Sequence, residues 1–135
     1  MIAVTHPKIK RMSPQFLVTD LDRAITFYTK KLGFELEFRY EDFYAGILKD
    51  GCSIHLKTGK PSIEALKSKR DNTDLDIVFS VDNVEELYEL FLKESIDIVQ
   101  PLCDRPYGRE FYITDPDGYI FAFLENAEAQ IKKEF

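Results

Sequence analysis

The sequence contains few of the residues that cross-link a chain or anchor it in a membrane. Its 135 residues include two cysteines, Cys52 and Cys103, and no Cys-x-x-Cys motif. Two isolated thiols predict reduced side chains in a cytoplasmic protein, not a disulfide framework. No apolar run approaches membrane-spanning length, and residues 1–12 lack the hydrophobic region of a signal peptide. We therefore expect a cytoplasmic protein that does not contact a membrane.

Positive charge and catalytic motifs are also scarce. There are 18 Lys and Arg against 24 Asp and Glu, which gives a net charge of −6. Because phosphate binding needs a basic patch, nucleic acid is not an expected partner. No nucleophile elbow, glycine-rich phosphate loop or paired carboxylates are visible, so we predict no nucleophilic chemistry. Tryptophan is absent, and 7 Tyr and 11 Phe supply the aromatic surface.

The strongest local signal is a hairpin between Tyr107 and Glu125. Two runs rich in aromatic and β-branched residues flank the turn Asp115-Pro116-Asp117-Gly118. Proline presets φ and glycine accepts a positive φ, so this turn predicts a β-hairpin. A weaker copy of the pattern surrounds Asp50-Gly51.

The hairpin belongs to a longer internal repeat. The predicted helix caps, Asp20 and Asp82 or Asn83, and the turn glycines, Gly51 and Gly118, occupy corresponding places in the two halves. The caps Asp20 and Asn83 are 63 positions apart and the glycines 67, so we expect an inserted loop around Arg105 to Gly108. Each half reads as a strand, a helix and three strands. The sequence thus predicts an α+β fold of two βαβββ modules that form a curved mixed sheet around a central cleft.

The expected boundaries are those of a single domain over residues 1–135. The first module covers about 13–58 and the second about 75–125. The connector, about 59–74, is polar and could hold a short helix from Pro61. Residues 126–135 read as a short terminal helix or a frayed tail.

Side-chain alternation predicts which residues line the cleft. Successive strand residues point to opposite faces of a sheet, and the helices cover one face. The repeat then places Ser13, His55, Asp76 and Ala122 at four equivalent points of the other face, with Gln15 two residues from Ser13. A register error of one residue would move them all to the covered face.

These residues also carry a family likeness. Val18-Thr-Asp20-Leu21, Phe27-Tyr28-x-x-x-Leu32-Gly33-Phe34, Arg109-Glu110-Phe111 and Asp115-Pro116-Asp117-Gly118 closely resemble the glyoxalase/bleomycin-resistance/extradiol-dioxygenase (vicinal oxygen chelate) superfamily. The likeness covers roughly residues 13 to 125. The motifs are specific for the fold but do not name a reaction, because this fold supports several lyases, isomerases, dioxygenases and metal-free drug binders.

The resemblance implies where a divalent metal would lie. Enzymes of the family hold it at positions that correspond here to Ser13, His55, Asp76 and Ala122. Alanine has no donor atom and serine is a weak ligand, so only His55 and Asp76 remain, with Gln15 two residues out of place. We therefore expect no metal cofactor, although a divalent metal held by His55 and Asp76 stays an alternative.

Three functions follow from the resemblance. The first is a binding protein of the bleomycin-resistance type, a homodimer that sequesters a small aromatic or antibiotic-like molecule without changing it. The second is a metal-dependent lyase, isomerase or dioxygenase, so enzymatic activity is left open. The third is a dimeric interaction protein whose cleft holds nothing. For the first, the region Tyr107-Gly108-x-Glu110-Phe111 resembles the corresponding loop and strand of the subgroup.

Each candidate residue also has an ordinary structural explanation. His55 is either a cleft residue or a common strand histidine. Asp76 is either a partner for His55, a buried charge or an exposed edge carboxylate. Arg105 either clamps an anionic ligand or forms a surface ion pair, and Tyr107 either lines the pocket or belongs to the core. The predicted ligand-binding cleft is formed by Ser13, Gln15, His55, Asp76, Arg105, Tyr107 and Ala122.

Overall fold

The computed structural model of the chain describes residues 5–127. Within this range there are eight strands and three helices. The strands are β1 Gln15–Val18, β2 Glu35–Tyr40, β3 Tyr44–Lys49, β4 Cys52–Thr58, β5 Ile77–Ser80, β6 Ile98–Arg105, β7 Gly108–Thr114 and β8 Ile120–Asn126. The helices are α1 Leu21–Thr26, which continues as a π-helical turn over Phe27–Lys31, then α2 Ile63–Asn72 and α3 Val84–Lys93.

The strands form two four-stranded mixed sheets with the same topology. Their orders are β1-β4-β3-β2 and β5-β8-β7-β6. In each sheet the strand that comes first in the chain, β1 or β5, pairs in parallel with the strand that comes last in the chain, β4 or β8. The other pairs are antiparallel. The parallel pairing matches Gln15 with His55 and Val78 with Ala122, which are equivalent positions of the repeat. The predicted α+β class with two βαβββ modules is confirmed.

The helices begin at the predicted capping residues. Asp20 accepts a hydrogen bond from the Arg23 amide, 3.1 Å away, at the start of α1. Asn83, not Asp82, caps α3: its side chain accepts from the Glu86 amide and donates to the Glu86 carboxylate. Such reciprocal caps satisfy amides that have no partner inside the helix.

One hydrophobic core joins the two modules. Phe16 of β1 packs against the rings of Tyr119 and Phe121, and Phe34 packs against Phe79. These contacts lie on the helix-bearing faces of both sheets, which the same cluster of buried residues connects. Since apolar area buried on folding is the main driving force, neither module covers its apolar face alone.

The turn between β7 and β8 fastens the modules together. Asp115 is buried and accepts hydrogen bonds from the Tyr28 hydroxyl at 2.6 Å and from the amides of Asp117 and Tyr119. The Tyr119 hydroxyl lies within hydrogen-bonding distance of both the amide and the carbonyl of Leu17. The turn thus bonds to β1 and to the α1 segment of the other module.

Asp117 makes a second link across the same junction. One of its oxygens accepts from the Thr19 amide, the Thr19 hydroxyl and the Arg23 guanidinium. Its other oxygen is the one side-chain polar atom in residues 5–127 that is fully buried without a partner.

The extra residues of the second module lie near Arg105 to Gly108, as the repeat predicted, but the prediction that they form a loop was wrong. β6 runs to Arg105 and β7 begins at Gly108, so only Pro106 and Tyr107 form the turn. The added residues lengthen the two strands instead, because β6 and β7 pair as far as Arg105 and Gly108. This pairing brings Arg105 onto the sheet.

The connector contains α2, which is longer than the short helix that the sequence suggested. Ser62 caps it by accepting from the Ala65 amide. The helix is tied to the second sheet because Lys69 hydrogen-bonds the Asp76 carboxylate. Within residues 5–127 no helix is long and apolar enough to cross a bilayer. Most of the predicted terminal helix or tail, residues 128–135, lies outside the described part of the chain.

Candidate ligand-binding site

Each sheet has a second face that none of the helices within residues 5–127 covers, called here the open face of that sheet. On the first sheet, one row across the strands is formed by Gln15, His55, Gly46 and Phe38. On the second sheet, the equivalent row is formed by Val78, Ala122, Tyr112 and Gln100. Of the predicted cleft residues, Gln15 and His55 lie in the first row and Ala122 lies in the second, while Arg105 and Tyr107 reach the second face at the end of the sheet.

Gln15, Tyr44 and His55 form a hydrogen-bonded chain on the first open face. The Gln15 side-chain amide donates to the Tyr44 hydroxyl at 3.0 Å, and this hydroxyl lies 2.9 Å from His55 Nδ1. With the amide proton already directed at its oxygen, the hydroxyl is free to donate its own proton to His55. The chain thus joins β1, β3 and β4 on this face through the Tyr44 hydroxyl.

The same face carries an aromatic wall. Phe38 stacks on Tyr44 at 6.0 Å between ring centroids and meets His55 edge-on at 5.2 Å. Phe38 can lie there because Gly46 has no side chain: a Cβ at Gly46 would approach the Phe38 ring to 2.1 Å. The half-exposed Tyr40 and Phe43 extend the wall at the end of β2.

The second open face is built around one carboxylate, that of Glu110. Its Oε2 accepts hydrogen bonds from Arg105 Nε at 2.9 Å, from the Tyr107 hydroxyl at 2.8 Å and from the Tyr112 hydroxyl at 2.7 Å. The Glu110 side chain is only 4% exposed. A buried carboxylate is tolerated when several donors satisfy it, and this one has three.

The cluster changes the protonation of its members. Burial alone would raise the pKa of Glu110, but the hydrogen bonds from Tyr112, Tyr107 and Arg105 outweigh it and lower this pKa below its ordinary value. Burial and then the bond to Glu110 raise the pKa of Tyr112 to about 12. At neutral pH the site therefore holds an ionised carboxylate and neutral tyrosine hydroxyls.

Ser13 and Asp76 are each bonded to a side chain outside the predicted set. The Ser13 hydroxyl donates to the Ser53 hydroxyl at 2.8 Å. The Asp76 carboxylate accepts from Lys69 and from the Ile120 amide, so it is neither an exposed carboxylate nor a partner of His55. Its buried charge is compensated by the lysine of α2.

The four family metal positions do not fit a divalent metal in this chain. His55 Nδ1 faces the Tyr44 hydroxyl, Asp76 is bonded to Lys69, and Ala122 is a fully buried methyl. No group of three or more His, Cys, Asp or Glu side chains within residues 5–127 is placed to hold a metal. Because a metal site needs several donors converging on one point, these residues do not make one.

Several cavities lie away from both open faces. One of about 540 Å³ lies between the β3–β4 turn and the start of α3, and its lining includes Lys49, Asp82 and Glu86. None of the predicted cleft residues borders it.

Several residues of the site, among them Phe38, Tyr44, Glu110 and Tyr112, were not among the predicted cleft residues. The alternation Glu110-Phe111-Tyr112-Ile113 could have identified Glu110, since its neighbours Phe111 and Ile113 are core residues. Tyr44 follows a turn whose register with β4 is not visible in the sequence.

The chain is an α+β protein made of two paired βαβββ modules. The modules pack together through their helix-bearing faces, and their open faces carry the aromatic and polar side chains. The Glyoxalase/Bleomycin resistance protein/Dioxygenase superfamily model matches residues 9–123. The chain belongs to this superfamily, as its motifs suggested.

Individual relatives include bleomycin resistance proteins. That of Geobacillus stearothermophilus is 26% identical over 132 residues, covering 86% of this chain and 96% of the relative. Sequences from Staphylococcus aureus show the same identity and coverage. Among solved structures, UcmS2 has a TM-score of 0.71 at 26% identity and covers 89% of this chain and 100% of its own.

A further solved structure is similar to this chain in fold but has low sequence identity. The bleomycin-binding protein of Streptomyces verticillus, complexed with copper(II)-bleomycin, has a TM-score of 0.66 at 20% identity. The match covers 90% of this chain and 100% of that protein.

Proposed function

We propose that this protein binds and sequesters a small aromatic, antibiotic-like molecule on its open faces without changing it covalently. The observation that carries the proposal is the makeup of these faces. Each combines aromatic rings with a few fixed polar groups: Phe38, Tyr44 and His55 on the first sheet, and Tyr107, Glu110 and Tyr112 on the second. Small-molecule sites typically have this composition.

The charge state of the second face supports a ligand that donates hydrogen bonds. Glu110 is ionised and presents acceptor oxygens, and the net charge of −6 favours cationic compounds at long range. The relatives named bleomycin resistance proteins and the bleomycin-binding structure support bleomycin-like compounds as first ligands to test.

We also propose that the protein acts as a cytoplasmic homodimer. In the described part of one chain the shared core lies on the helix-bearing faces, and no helix there covers either open face. Large apolar side chains on or beside these faces remain about half exposed, namely Tyr40, Phe43, Val78 and Tyr107. A second copy that brings one open face against another would cover them and would convert two surfaces into a pocket.

Isothermal titration calorimetry with metal-free bleomycin tests the proposal. We expect saturable binding to the wild type that weakens roughly 10-fold in Tyr107→Ala, because the variant loses stacking area. Leu92→Ala is the control: Leu92 is 49% exposed, close to the 45% of Tyr107, but belongs to α3. Absence of binding to bleomycin and to a panel of aromatic cations would reject the proposal.

Elemental analysis of protein purified without chelator distinguishes the enzymatic alternative. A stoichiometric divalent metal that is lost in His55→Ala would favour a metal-dependent enzyme. We expect no stoichiometric metal in the wild type, because no group of three or more His, Cys, Asp or Glu side chains within residues 5–127 is placed to hold one.

A further inference from the structure

The Glu110 carboxylate is bonded unequally. All three of its protein donors contact the same oxygen, Oε2. Among the described residues none donates to Oε1. Oε1 nevertheless keeps some exposure to solvent. The side-chain polar atom that is fully buried without a partner in residues 5–127 is Asp117 Oδ2, and Oε1 is not such an atom.

It is unusual for a carboxylate as buried as that of Glu110 to have one oxygen without a hydrogen-bond donor. The Glu110 side chain is 4% exposed, so most of its surface is already covered by protein. Buried carboxylates normally use both oxygens as acceptors, because each lost hydrogen bond costs free energy. The groups around it are also held in place, since Arg105, Tyr107 and Tyr112 all bond to Oε2.

We propose that Glu110 Oε1 is the specificity-determining acceptor of the open face, which selects flat aromatic ligands with a hydrogen-bond donor, an N–H group, at the ring edge. This rests on the proposed function and names the class of ligand. The ring lies against Tyr107 and Tyr112, and its edge N–H donates to Oε1. The lowered pKa of Glu110 keeps this acceptor charged at neutral pH. A compound with only hydrogen-bond acceptors at its ring edge leaves Oε1 without a donor, and its acceptor atoms are repelled by the negative charge of Glu110.

Substitution by glutamine gives a test that reverses the selectivity. The three donors require an acceptor at the Oε2 position, so in Glu110→Gln they hold the amide oxygen there. The amide NH₂ then occupies the Oε1 position. One atom of the site changes from an acceptor into a donor, while the size of the side chain is kept.

The probes are 2-aminoquinoline in its neutral form, which donates, and quinoline N-oxide, which only accepts. We expect the wild type to bind 2-aminoquinoline roughly 10- to 100-fold more tightly, since a hydrogen bond to a charged group is lost with the N-oxide. In Glu110→Gln the preference should invert. Glu85→Gln is the control, because it removes one charge from an exposed carboxylate on α3.

The outcomes separate this inference from the proposed function. Equal affinities in the wild type, or a preference that Glu110→Gln leaves unchanged, would overturn the inference while binding itself stands. If the wild type binds neither probe but binds bleomycin, only the inference fails. If it binds none of these three compounds and none of the panel of aromatic cations, both fail. The wild-type preference is measurable even if Glu110→Gln does not fold.

Discussion

Asp115 shows how strongly a single residue of this protein depends on its surroundings. Burial raises its pKa to about 6, against hydrogen bonds from Tyr28 and two amides that favour the charged form. In the unfolded chain the same group ionises near its ordinary value of 3.8. Because the folded pKa is the higher one, ionisation of Asp115 favours unfolding.

A pH-dependent stability follows for Asp115. Its contribution is fully present below about pH 4, is lost as the pH rises through 6, and changes the free energy of unfolding by about 3 kcal/mol over this range. We expect the difference in free energy of unfolding between the wild type and Asp115→Asn, measured by urea unfolding, to fall by about this amount between pH 4 and pH 7. Asp71→Asn, at an exposed position, should show no such trend. A difference that is constant with pH would contradict the assignment.

At the scale of the element, the hairpin β6–β7 distinguishes the second module from the first. Its strands are longer than β2 and β3, and its turn has two residues, Pro106 and Tyr107. The extra length places Arg105 and Tyr107 within reach of Glu110, so the polar cluster exists only on the second sheet. The first sheet uses a histidine in the row where the second has alanine.

Gly108 is the residue that allows this hairpin to pair with β8. Its φ is +148°, and a Cβ there would come within 2.1 Å of the Glu125 carbonyl oxygen. We expect Gly108→Ala to lower the free energy of unfolding by about 3 kcal/mol, since the backbone must move. Gly51→Ala is the control: its φ is +80° but no atom lies within 4 Å, so about 1 kcal/mol is expected. Equal losses in thermal or urea unfolding would show that β8 is not in close contact at Gly108.

At the scale of the whole molecule, the chain uses its helix-bearing faces for its own core. The contacts of Asp115, Asp117 and Tyr119 with the other module hold the two sheets in a fixed relation. Both open faces are left for other contacts. This division of surfaces is the physical basis for the proposed dimer.

Val78 tests the dimer. It is 51% exposed in the same cross-strand row as Ala122 and Tyr112. We expect the wild type to sediment as two chains of 15.7 kDa and Val78→Glu to sediment as one, because a charge would be buried at the interface. Leu92→Glu, on α3, should leave the association unchanged. A wild type that stays monomeric at high concentration would refute the dimer.

The sequence by itself determined the fold. The caps Asp20 and Asn83, the turn at Asp115 to Gly118 and the equivalence of His55 with Ala122 are local patterns or fixed spacings, and short-range backbone physics makes these readable without coordinates. The strand register was not readable in the same way: the repeat put Ser13 at the point equivalent to His55, with Gln15 two residues away, whereas the strand pairing sets Gln15 opposite His55.

Only the tertiary structure decided which polar groups meet. Asp76 bonds to Lys69 of a connector helix, Tyr44 joins Gln15 and His55, and three donors converge on Glu110 Oε2. These partners depend on how strands and helices from different parts of the chain pack, and on the exact length of the β6–β7 hairpin. Side-chain hydrogen bonds have a reach of about 3 Å, so a shift of one residue in that packing would change every one of them.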